Sequence, residues 1–226
     1  MTPTLPRPVG VVVFDVNETL SDLEPLRALL VGGGAPSHLL ETWFAGTLRD
    51  GFALAAVGGA APFRQVGTDV LLGLLAGFPD LAMAPQDLAA HLLDGFTELD
   101  VHPDVVAGLR LLREAGVRLA TLTNGAASVS QALLDRAGVS DLFERQLTVE
   151  DAGHWKPHPA AYAWAAEQCG AAPREMLMVA VHPWDLHGAA TAGMLTGWVN
   201  RNQTPYPAVF TAPTCGPATC RRWPPR

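Results

Sequence analysis

The sequence has little charge, no basic cluster and no long apolar run, and each shortage argues against a class of protein. Charged residues make up 16% of the 226 residues, and the formal net charge is −7. Because no stretch rich in lysine and arginine offsets that charge, we expect no nucleic-acid partner. No apolar run reaches the length of a membrane span, and the N-terminus lacks the apolar core of a signal peptide. We therefore expect a cytoplasmic protein that does not bind membranes.

Cysteine is also scarce. The three cysteines show no CxxC spacing, so they provide neither a zinc site nor a disulfide framework. Cys215 and Cys220 could pair, but reduced thiols are the expectation for a protein without a signal peptide. Apolar residues make up 49% of the chain, which is enough for a globular core and excludes a disordered protein.

The first apolar segment organises the rest of the chain. Residues 9–14 form a short β-branched run, which predicts a strand buried on both faces of a parallel sheet. Asp15, Asn17 and Thr19 follow it directly. Ligands of open α/β sheets bind beyond the carboxyl ends of the strands, so a carboxylate here is placed for chemistry. The alternative is that Asp15 only caps the following turn.

After Leu20 the pattern becomes helical for about eighty residues. Ser37 is a candidate N-cap for a helix that carries Trp43 and Phe44. This block interrupts an α/β pattern, so we predict an inserted cap over residues 21–99 and an α/β core formed by residues 1–20 and 100–226. The functional interpretation is a lid over Asp15, and the alternative is a bundle whose apolar faces only form a core. The predicted cap helices cover 25–31, a segment after Ser37, 62–76 and 85–99.

From residue 102 onward, strands and helices alternate with short links. This order predicts a doubly wound parallel sheet, which is a Rossmann-like α/β core. The predicted strands cover 117–122, 146–149, 176–181 and 195–199. The tail beyond Gln203 is rich in proline and threonine, and it is either disordered or draped over the core.

Polar residues follow the predicted strands at four places. Each has an ordinary explanation, as a helix cap or as a solvated residue in a first helical turn. Together they would converge on one edge of one sheet, where a lysine beside carboxylates is a recognisable catalytic arrangement. The four groups are Asp15 with Thr19, Thr123 with Asn124, Lys156, and His182 with Asp185.

These motifs resemble, in order, those of the haloacid dehalogenase superfamily. The matching segments are 14–20, 122–125, Lys156-Pro157 with Tyr162, and Trp184-Asp185. The metal-dependent phosphatases of that superfamily carry acidic residues where this chain has Asn17 and Val181. A hard divalent cation needs oxygen ligands, usually carboxylates. The loss of both carboxylates resembles the L-2-haloacid dehalogenase (type II) branch, which implies no metal and no cofactor.

The resemblance implies a role for each site residue. Asp15 is the nucleophile that displaces halide from a small halocarboxylic acid and forms an aspartyl ester, which water hydrolyses to a 2-hydroxy acid. Lys156 keeps Asp15 ionised, and Asp185 helps to place the hydrolytic water. Thr19 and Thr123 supply hydroxyl groups, and the amide N–H of Asn124 contacts the halide. Tyr162 completes the network around Lys156, and the remaining residues predicted at the substrate are Asn17, Trp43 and Phe44.

Three positions depart from the family pattern. Phe44 stands where the dehalogenases have an arginine, which suggests a drier leaving-group pocket or a substrate that is not a simple haloacid. Ala180 and His182 stand where they have serine and asparagine. His182 has two open roles, a water-activating base or a structural hydrogen-bond partner.

Two other functions compete with the dehalogenase. One is a magnesium-dependent phosphohydrolase that binds the metal through Asp15 and Asp185, and the other is a non-catalytic protein that binds a small acid. Apolar cap helices with exposed aromatic side chains would in addition suit a homodimer.

Overall fold

A parallel sheet of five strands forms the centre of the molecule, in the order β3-β2-β1-β4-β5. The computed structural model describes residues 8–216. β1 is the middle strand and is buried along its whole length, as its β-branched run predicts. The predicted doubly wound α/β core is therefore confirmed. The strands are β1 (Val11–Phe14), β2 (Arg118–Thr123), β3 (Phe143–Thr148), β4 (Met176–Ala180) and β5 (Leu195–Trp198).

Helices fill the connections between the strands. The α-helices of the described residues are α1 (Glu24–Gly32), α2 (Leu39–Ala56), α3 (Phe63–Leu75), α4 (Pro85–Asp94), α5 (Val105–Glu114), α6 (Ala127–Arg136), α7 (Val149–Ala152), α8 (Pro159–Gln168) and α9 (Pro183–Thr191). Short 3₁₀ helices cover Gly95–Glu98, Ser140–Leu142 and Pro173–Glu175.

Several predicted boundaries were wrong. Ser37 does not cap α2: His38 occupies the N-cap position without a side-chain capping bond, and the Ser37 carbonyl accepts a hydrogen bond from Arg27 instead. β3 begins at Phe143 rather than at 146. It ends at Thr148, because the Thr148 hydroxyl accepts from the backbone N–H of Glu150 and so starts α7.

The helical insertion leaves and rejoins the sheet region at one place. The backbone N–H of Asp22 donates to the Asp100 carbonyl at 2.9 Å, and that of His102 donates to the Leu20 carbonyl at 2.9 Å. Ser21 and Val101 form an antiparallel bridge between them. This paired entry and exit lies close to the predicted limits of the cap, 21–99. The division into two domains itself stays a prediction.

Aromatic side chains join the helical insertion to the sheet region. Trp155, which precedes Lys156, donates its indole N–H to the Ala61 carbonyl at 2.8 Å and stacks on Phe63. A methyl group on Gly51 of α2 would overlap the Trp155 ring, so only glycine permits this approach. Phe52 packs edge-on against Trp184 at 4.8 Å between ring centroids.

The C-terminal part of the described chain lies along the edge of the sheet. Cys215 bridges Gly197 in parallel, its N–H donates to the Thr196 carbonyl, and its carbonyl accepts from the Trp198 N–H. Residues 204–216 are therefore draped over the core, which was one of the two expectations for the tail. The considered pairing of Cys215 with Cys220, like the last residues of the tail, lies outside the described residues.

The homodimer prediction assumed exposed aromatic side chains on the cap helices, and the structure does not show them among the described residues. The large hydrophobic side chains that are exposed in the described part of the chain include no aromatic ring: they are Val31, Val57, Met83, Leu111 and Val209. The homodimer stays a prediction without that support.

Among the helices of residues 8–216, none combines the length and the hydropathy that crossing a membrane requires.

Candidate active site

A buried lysine between two buried carboxylates forms the centre of the site. Asp15 follows β1 directly, and its backbone N–H donates to the Val179 carbonyl on β4, which fixes it at the carboxyl edge of the sheet. The Lys156 ammonium donates to Asp15 Oδ1 at 2.8 Å and to Asp185 Oδ2 at 2.7 Å. The Lys156 and Asp185 side chains are fully buried, and that of Asp15 is 5% exposed. The three groups predicted from separate strand ends thus meet.

Asp185 is held from its other side by Tyr162. The Tyr162 hydroxyl lies 2.6 Å from Asp185 Oδ1 and 3.0 Å from the Asp185 carbonyl. Gly188, one turn further along α9, makes this approach possible, because a Cβ there would lie 2.6 Å from the Tyr162 oxygen. Tyr162 is fully buried, so it supports Asp185 rather than forming a wall of an open pocket.

The second oxygen of Asp15 contacts Thr19 and His182. The Thr19 hydroxyl donates to Asp15 Oδ2 at 2.7 Å and accepts from the backbone N–H of Val181. His182 Nδ1 lies 3.0 Å from the same Asp15 oxygen, and its Nε2 lies 2.8 Å from Glu18 Oε2. The imidazole is packed between the rings of Phe44 and Trp184, at centroid distances of 6.2 and 5.0 Å.

The opposite charges of the site shift the pKa values of Asp15 and Lys156 so that both groups stay ionised despite their burial. Burial by itself raises the pKa of Asp15, but the positive charges of Lys156 and His182 outweigh it, so the pKa is lowered and the carboxylate is ionised. Burial lowers the pKa of Lys156, yet the two carboxylates raise it more strongly. Burial is also the main cause that raises the pKa of Asp185, against the attraction of Lys156. Lys156 therefore remains a cation.

His182 is also a cation at neutral pH. Burial lowers the pKa of its imidazole, but the hydrogen bonds to Asp15 and Glu18 outweigh this and raise it to about 9. An imidazole that contacts two carboxylates carries hydrogen on both ring nitrogens, so it lacks the free lone pair that a base needs. The predicted role of a resting general base is not supported by this arrangement.

The side chains of Asn124 and Thr123 form hydrogen bonds with nearby backbone groups. Both ends of the Asn124 amide bind the backbone of Lys156: Oδ1 accepts from its N–H at 2.9 Å, and Nδ2 donates to its carbonyl at 3.3 Å. The Asn124 side chain therefore positions Lys156, and because its NH₂ group has two hydrogens, the second one remains available for the predicted halide contact. The Thr123 hydroxyl accepts from the Gly125 N–H at 2.9 Å. The Asn17 side chain is buried beside Gly125.

The two aromatic residues predicted at the substrate lie in different places. Trp43 is fully buried inside the helical insertion, where its indole N–H donates to the Gly67 carbonyl at 2.7 Å. Its ring packs on Phe63 and Phe96, so its contacts are those of a core residue. Phe44, the next residue, lies on His182 and reaches the site.

Sequence reasoning missed Glu18, Gly188 and Trp155. The sequence offered one indication of Glu18, because this residue stands between the motif residues Asn17 and Thr19. The structure adds that its backbone φ of 61° is a left-handed conformation that is uncommon outside glycine. The sequence also offered a second indication of Lys156, which is the only lysine in the 226 residues.

The donor set does not suit a hard divalent cation. The facing oxygens of Asp15 and Asp185 are already joined by the Lys156 ammonium, and the positions that would add carboxylates carry Asn17 and Val181. Residues 8–216 contain no group of three or more histidine, cysteine, aspartate or glutamate side chains that could hold a metal ion.

Comparisons with known proteins show which family the chain resembles. A family model described as haloacid dehalogenase-like hydrolase matches residues 9–193. (S)-2-haloacid dehalogenase 1 of Pseudomonas sp. (strain CBS-3) is 29% identical over 200 residues, which are 88% of this chain and 87% of that protein. A solved structure of an L-2-haloacid dehalogenase matches with a TM-score of 0.85 and 29% identity, over 93% of this chain and 94% of the other. The L-2-haloacid dehalogenase of Xanthobacter autotrophicus with chloropropionic acid covalently bound matches with a TM-score of 0.79 and 26% identity, over 92% and 94%.

Proposed function

The chain belongs to the haloacid dehalogenase-like hydrolases, and from that premise we propose that it hydrolyses the carbon–halogen bond of short 2-haloalkanoic acids. One observation carries the proposal: a buried, ionised aspartate at the end of β1 that Lys156 binds, with Asn17 and Val181 at the two positions where a metal site would add carboxylates. The relatives named as haloacid dehalogenases support the same chemistry.

The reaction has two covalent steps. An oxygen of Asp15 attacks C2 of the substrate, the carbon–halogen bond breaks, and the halide leaves with the bonding pair. Water then attacks Cγ of the aspartyl ester, and the ester bond breaks to restore the Asp15 carboxylate. One proton of that water is transferred to the departing alkoxide oxygen, which becomes the product hydroxyl, and the other proton is released. The relative with chloropropionic acid covalently bound supports such an intermediate.

The residues around Asp15 have distinct roles in this scheme. Lys156 keeps Asp15 ionised and oriented, and Asp185 with Tyr162 holds Lys156 in place. The Asn17 side chain makes no hydrogen bond within the described residues, which leaves its amide available for the substrate carboxylate. Phe44 stands over His182 and keeps the leaving-group side of the site dry.

We also propose that residues 21–99 form a cap domain over the core. The single paired entry and exit near Leu20 and Asp100 supports this division. Phe44 on α2 reaches the catalytic groups from the insertion, so the insertion contributes a wall of the site.

Halide release from L-2-chloropropionate in the presence of a chelator tests the activity. We expect turnover that the chelator does not reduce, loss of nearly all activity in Asp15→Asn because an amide is a poor nucleophile, and unchanged activity in Asp69→Asn on the exposed face of α3. No release from any short haloacid contradicts the proposal. Chelator-sensitive hydrolysis of an aryl phosphate would favour the phosphohydrolase, and tight binding of the acid without turnover would favour a binding protein.

Isotope labelling tests the nucleophile. In a single turnover in ¹⁸O-water with enzyme in excess, we expect the label in Asp15 and little in the product, because the new hydroxyl oxygen comes from the carboxylate. Mass spectrometry of the peptide that contains Asp15 and of the 2-hydroxy acid measures both. Label in the product alone means that water attacked C2 directly.

A further inference from the structure

The two oxygens of Asp15 have different surroundings. Oδ2 lies against two groups, the Thr19 hydroxyl at 2.7 Å and His182 Nδ1 at 3.0 Å. Among the described residues, Oδ1 accepts only from Lys156. A carboxylate oxygen has two lone pairs, so Oδ2 is saturated and Oδ1 keeps one pair free. In the proposed reaction, Oδ1 is therefore the oxygen that attacks the substrate.

This asymmetry decides where charge develops in the second step. Once Oδ1 carries the ester, Oδ2 is the ester carbonyl oxygen. When water attacks Cγ, the electron pair of that carbonyl moves onto Oδ2, so the tetrahedral intermediate carries its negative charge there. Groups that already donate to Oδ2 stabilise that charge without moving, and this is how an oxyanion hole works.

Thr19 and His182 are both arranged as donors. The Thr19 oxygen accepts from the Val181 N–H at 3.1 Å, which directs the hydroxyl hydrogen toward Asp15. His182 lies between the Asp15 and Glu18 carboxylates, and each nitrogen meets an oxygen that can only accept. The protonated ring therefore presents an N–H and a positive charge to Oδ2.

Glu18 is held in place to make this contact. Its φ of 61° is a left-handed conformation that costs a non-glycine residue about 1 kcal/mol or more, so the surroundings must enforce it. His102 contributes, because its Nε2 lies 3.2 Å from the Glu18 carbonyl oxygen. The Glu18 carboxylate is thereby aimed at the far nitrogen of His182.

We propose that Thr19 and His182 form the oxyanion hole for hydrolysis of the Asp15 ester, and that Glu18 is a positioning residue that keeps His182 protonated during that step. The proposal rests on the proposed function. Ester formation removes the negative charge of Asp15, so Glu18 is then the one carboxylate that still contacts His182. At collapse of the intermediate, the Cγ–Oδ1 bond breaks, Lys156 stabilises the departing alkoxide, and a proton of the attacking water ends on the product hydroxyl.

The charged surroundings of His182 determine the expected pH dependence. Asp15 and Glu18 contact the ring directly, and Phe44 and Trp184 cover its two faces. The pKa of about 9 in the resting enzyme falls in the ester, because the charge of Asp15 is gone. A cavity of about 470 Å³ adjoins the His182–Glu18 pair, and its other titratable lining residues are Asp22, Glu24, Arg27, Glu41, His102 and Arg201.

Rapid-quench mass spectrometry with enzyme in excess over L-2-chloropropionate separates ester formation from ester hydrolysis. Between pH 6 and 10, we expect the hydrolysis rate to fall as pH rises, with a midpoint below about 9. Glu18→Gln should move that midpoint at least ~1 unit lower and should slow hydrolysis more than ester formation. The matched control is Glu144→Gln, a partly exposed carboxylate paired with Arg118 at the far end of the sheet, which should leave both rates and the midpoint unchanged.

His182 variants distinguish a donor from a base. The Nδ2 atom of an asparagine occupies the same position along the side chain as Nδ1 of histidine, so His182→Asn retains a neutral donor and cannot act as a base. We expect His182→Ala to slow ester hydrolysis by roughly 10²–10³-fold, and His182→Asn to slow it less and to lose the pH dependence. Circular dichroism and the rate of ester formation show whether each variant has folded.

The outcomes separate this inference from the proposed function. A hydrolysis rate that rises with pH through this range, or His182→Asn and His182→Ala that are equally slow, identifies His182 as a base and overturns the oxyanion hole. An unchanged midpoint in Glu18→Gln overturns the role of Glu18. If no ester forms on Asp15 at any pH, the proposed function fails, and the inference fails with it.

Discussion

At the scale of single residues, Lys156 links the two buried carboxylates of the site. Its side chain is fully buried, and its ammonium contacts two carboxylates that face each other across it. Removing one partner from a buried ionic group costs far more than removing a surface pair, since charge is left without compensation. Methionine has a similar length and volume, so it isolates the loss of charge.

We expect Lys156→Met to lower the free energy of unfolding by about 3–5 kcal/mol at neutral pH and to abolish ester formation. Without the ammonium, burial and mutual repulsion raise the pKa values of Asp15 and Asp185. Their protonation relieves the repulsion, so the stability deficit should shrink as pH falls. Urea unfolding at pH 5 and pH 7.5 measures this. Arg64→Met, which breaks an exposed pair with Asp94, should cost about 1 kcal/mol or less, and a similar cost for Lys156→Met would contradict the central role of its charge.

His182 predicts a second pH effect, on stability rather than on rate. Burial lowers the pKa of His182, but Asp15 and Glu18 raise it more, from 6.5 to about 9. A group whose pKa is raised on folding stabilises the folded state fully below its unfolded pKa, and this stabilisation is lost as pH rises through the folded pKa. The protonated ring should therefore contribute up to ~3 kcal/mol at pH 6 and almost nothing at pH 10.

Urea unfolding of the wild type and of His182→Asn at both pH values gives that contribution as a difference. We expect the wild type to lose its advantage over the variant between pH 6.5 and about 9. If the two proteins keep a constant difference across this range, His182 does not lie between two carboxylates in solution.

At the scale of elements, the position of α9 controls the geometry of the site. This helix begins after β4, carries Asp185 in its first turn and contacts α8 through Gly188. A Cβ on Gly188 would lie 2.6 Å from the Tyr162 oxygen and 2.8 Å from the Pro157 carbonyl oxygen. The close contact of the two helices thus depends on the missing side chain.

We expect Gly188→Ala to push α9 away from α8, to break the bond between Tyr162 and Asp185, and to lower both stability, by about 1–3 kcal/mol, and the rate of ester formation. Gly73→Ala on α3 is the matched control, because a Cβ there meets no atom within 4 Å. That variant should be stabilised by up to ~1 kcal/mol through helix propensity. Thermal unfolding and single-turnover rates of both variants test this, and equal behaviour of the two would contradict the steric argument.

At the scale of the whole molecule, Lys156 is a direct probe of conformational opening, because it is buried and is the only lysine. Its chemical modification reports how often the helical insertion separates from the sheet region or the protein unfolds. Lys156 lies under the helical insertion, beside the Trp155 ring that joins that insertion to the sheet region. An amine reagent can reach it only when the two parts separate or the protein unfolds. Its raised pKa further reduces its reactivity in the folded state.

We expect reductive methylation of Lys156 in the native protein to be at least ~1000-fold slower than in a synthetic peptide of residues 151–161. The reason is that modification requires an opening reaction whose free energy is several kcal/mol. Mass spectrometry of the peptide that contains Lys156 follows the reaction, and denaturation in urea should restore the rate of the synthetic peptide. Methylation of the native protein at the rate of the peptide would show that Lys156 is accessible.

The sequence by itself determined the order of strands and helices and the sheet edge at which the polar site residues meet. The β-branched run of β1 and the alternation of strands and helices after residue 102 are local patterns, so they predicted a parallel α/β sheet with a helical insertion. Polar residues at the strand ends predicted the meeting of Asp15, Lys156 and Asp185, because the carboxyl ends of parallel strands share one edge.

Only the tertiary structure decided how neighbouring residues divide their roles. Trp43 and Phe44 are adjacent in the chain, yet one lies in the core of the insertion and the other lies on His182. Glu18 and His182 are 164 positions apart, and no local pattern indicates that their side chains meet. Such contacts depend on the direction of each side chain after packing, which is set by the whole fold. The same packing surrounds His182 with carboxylates and makes it a cation.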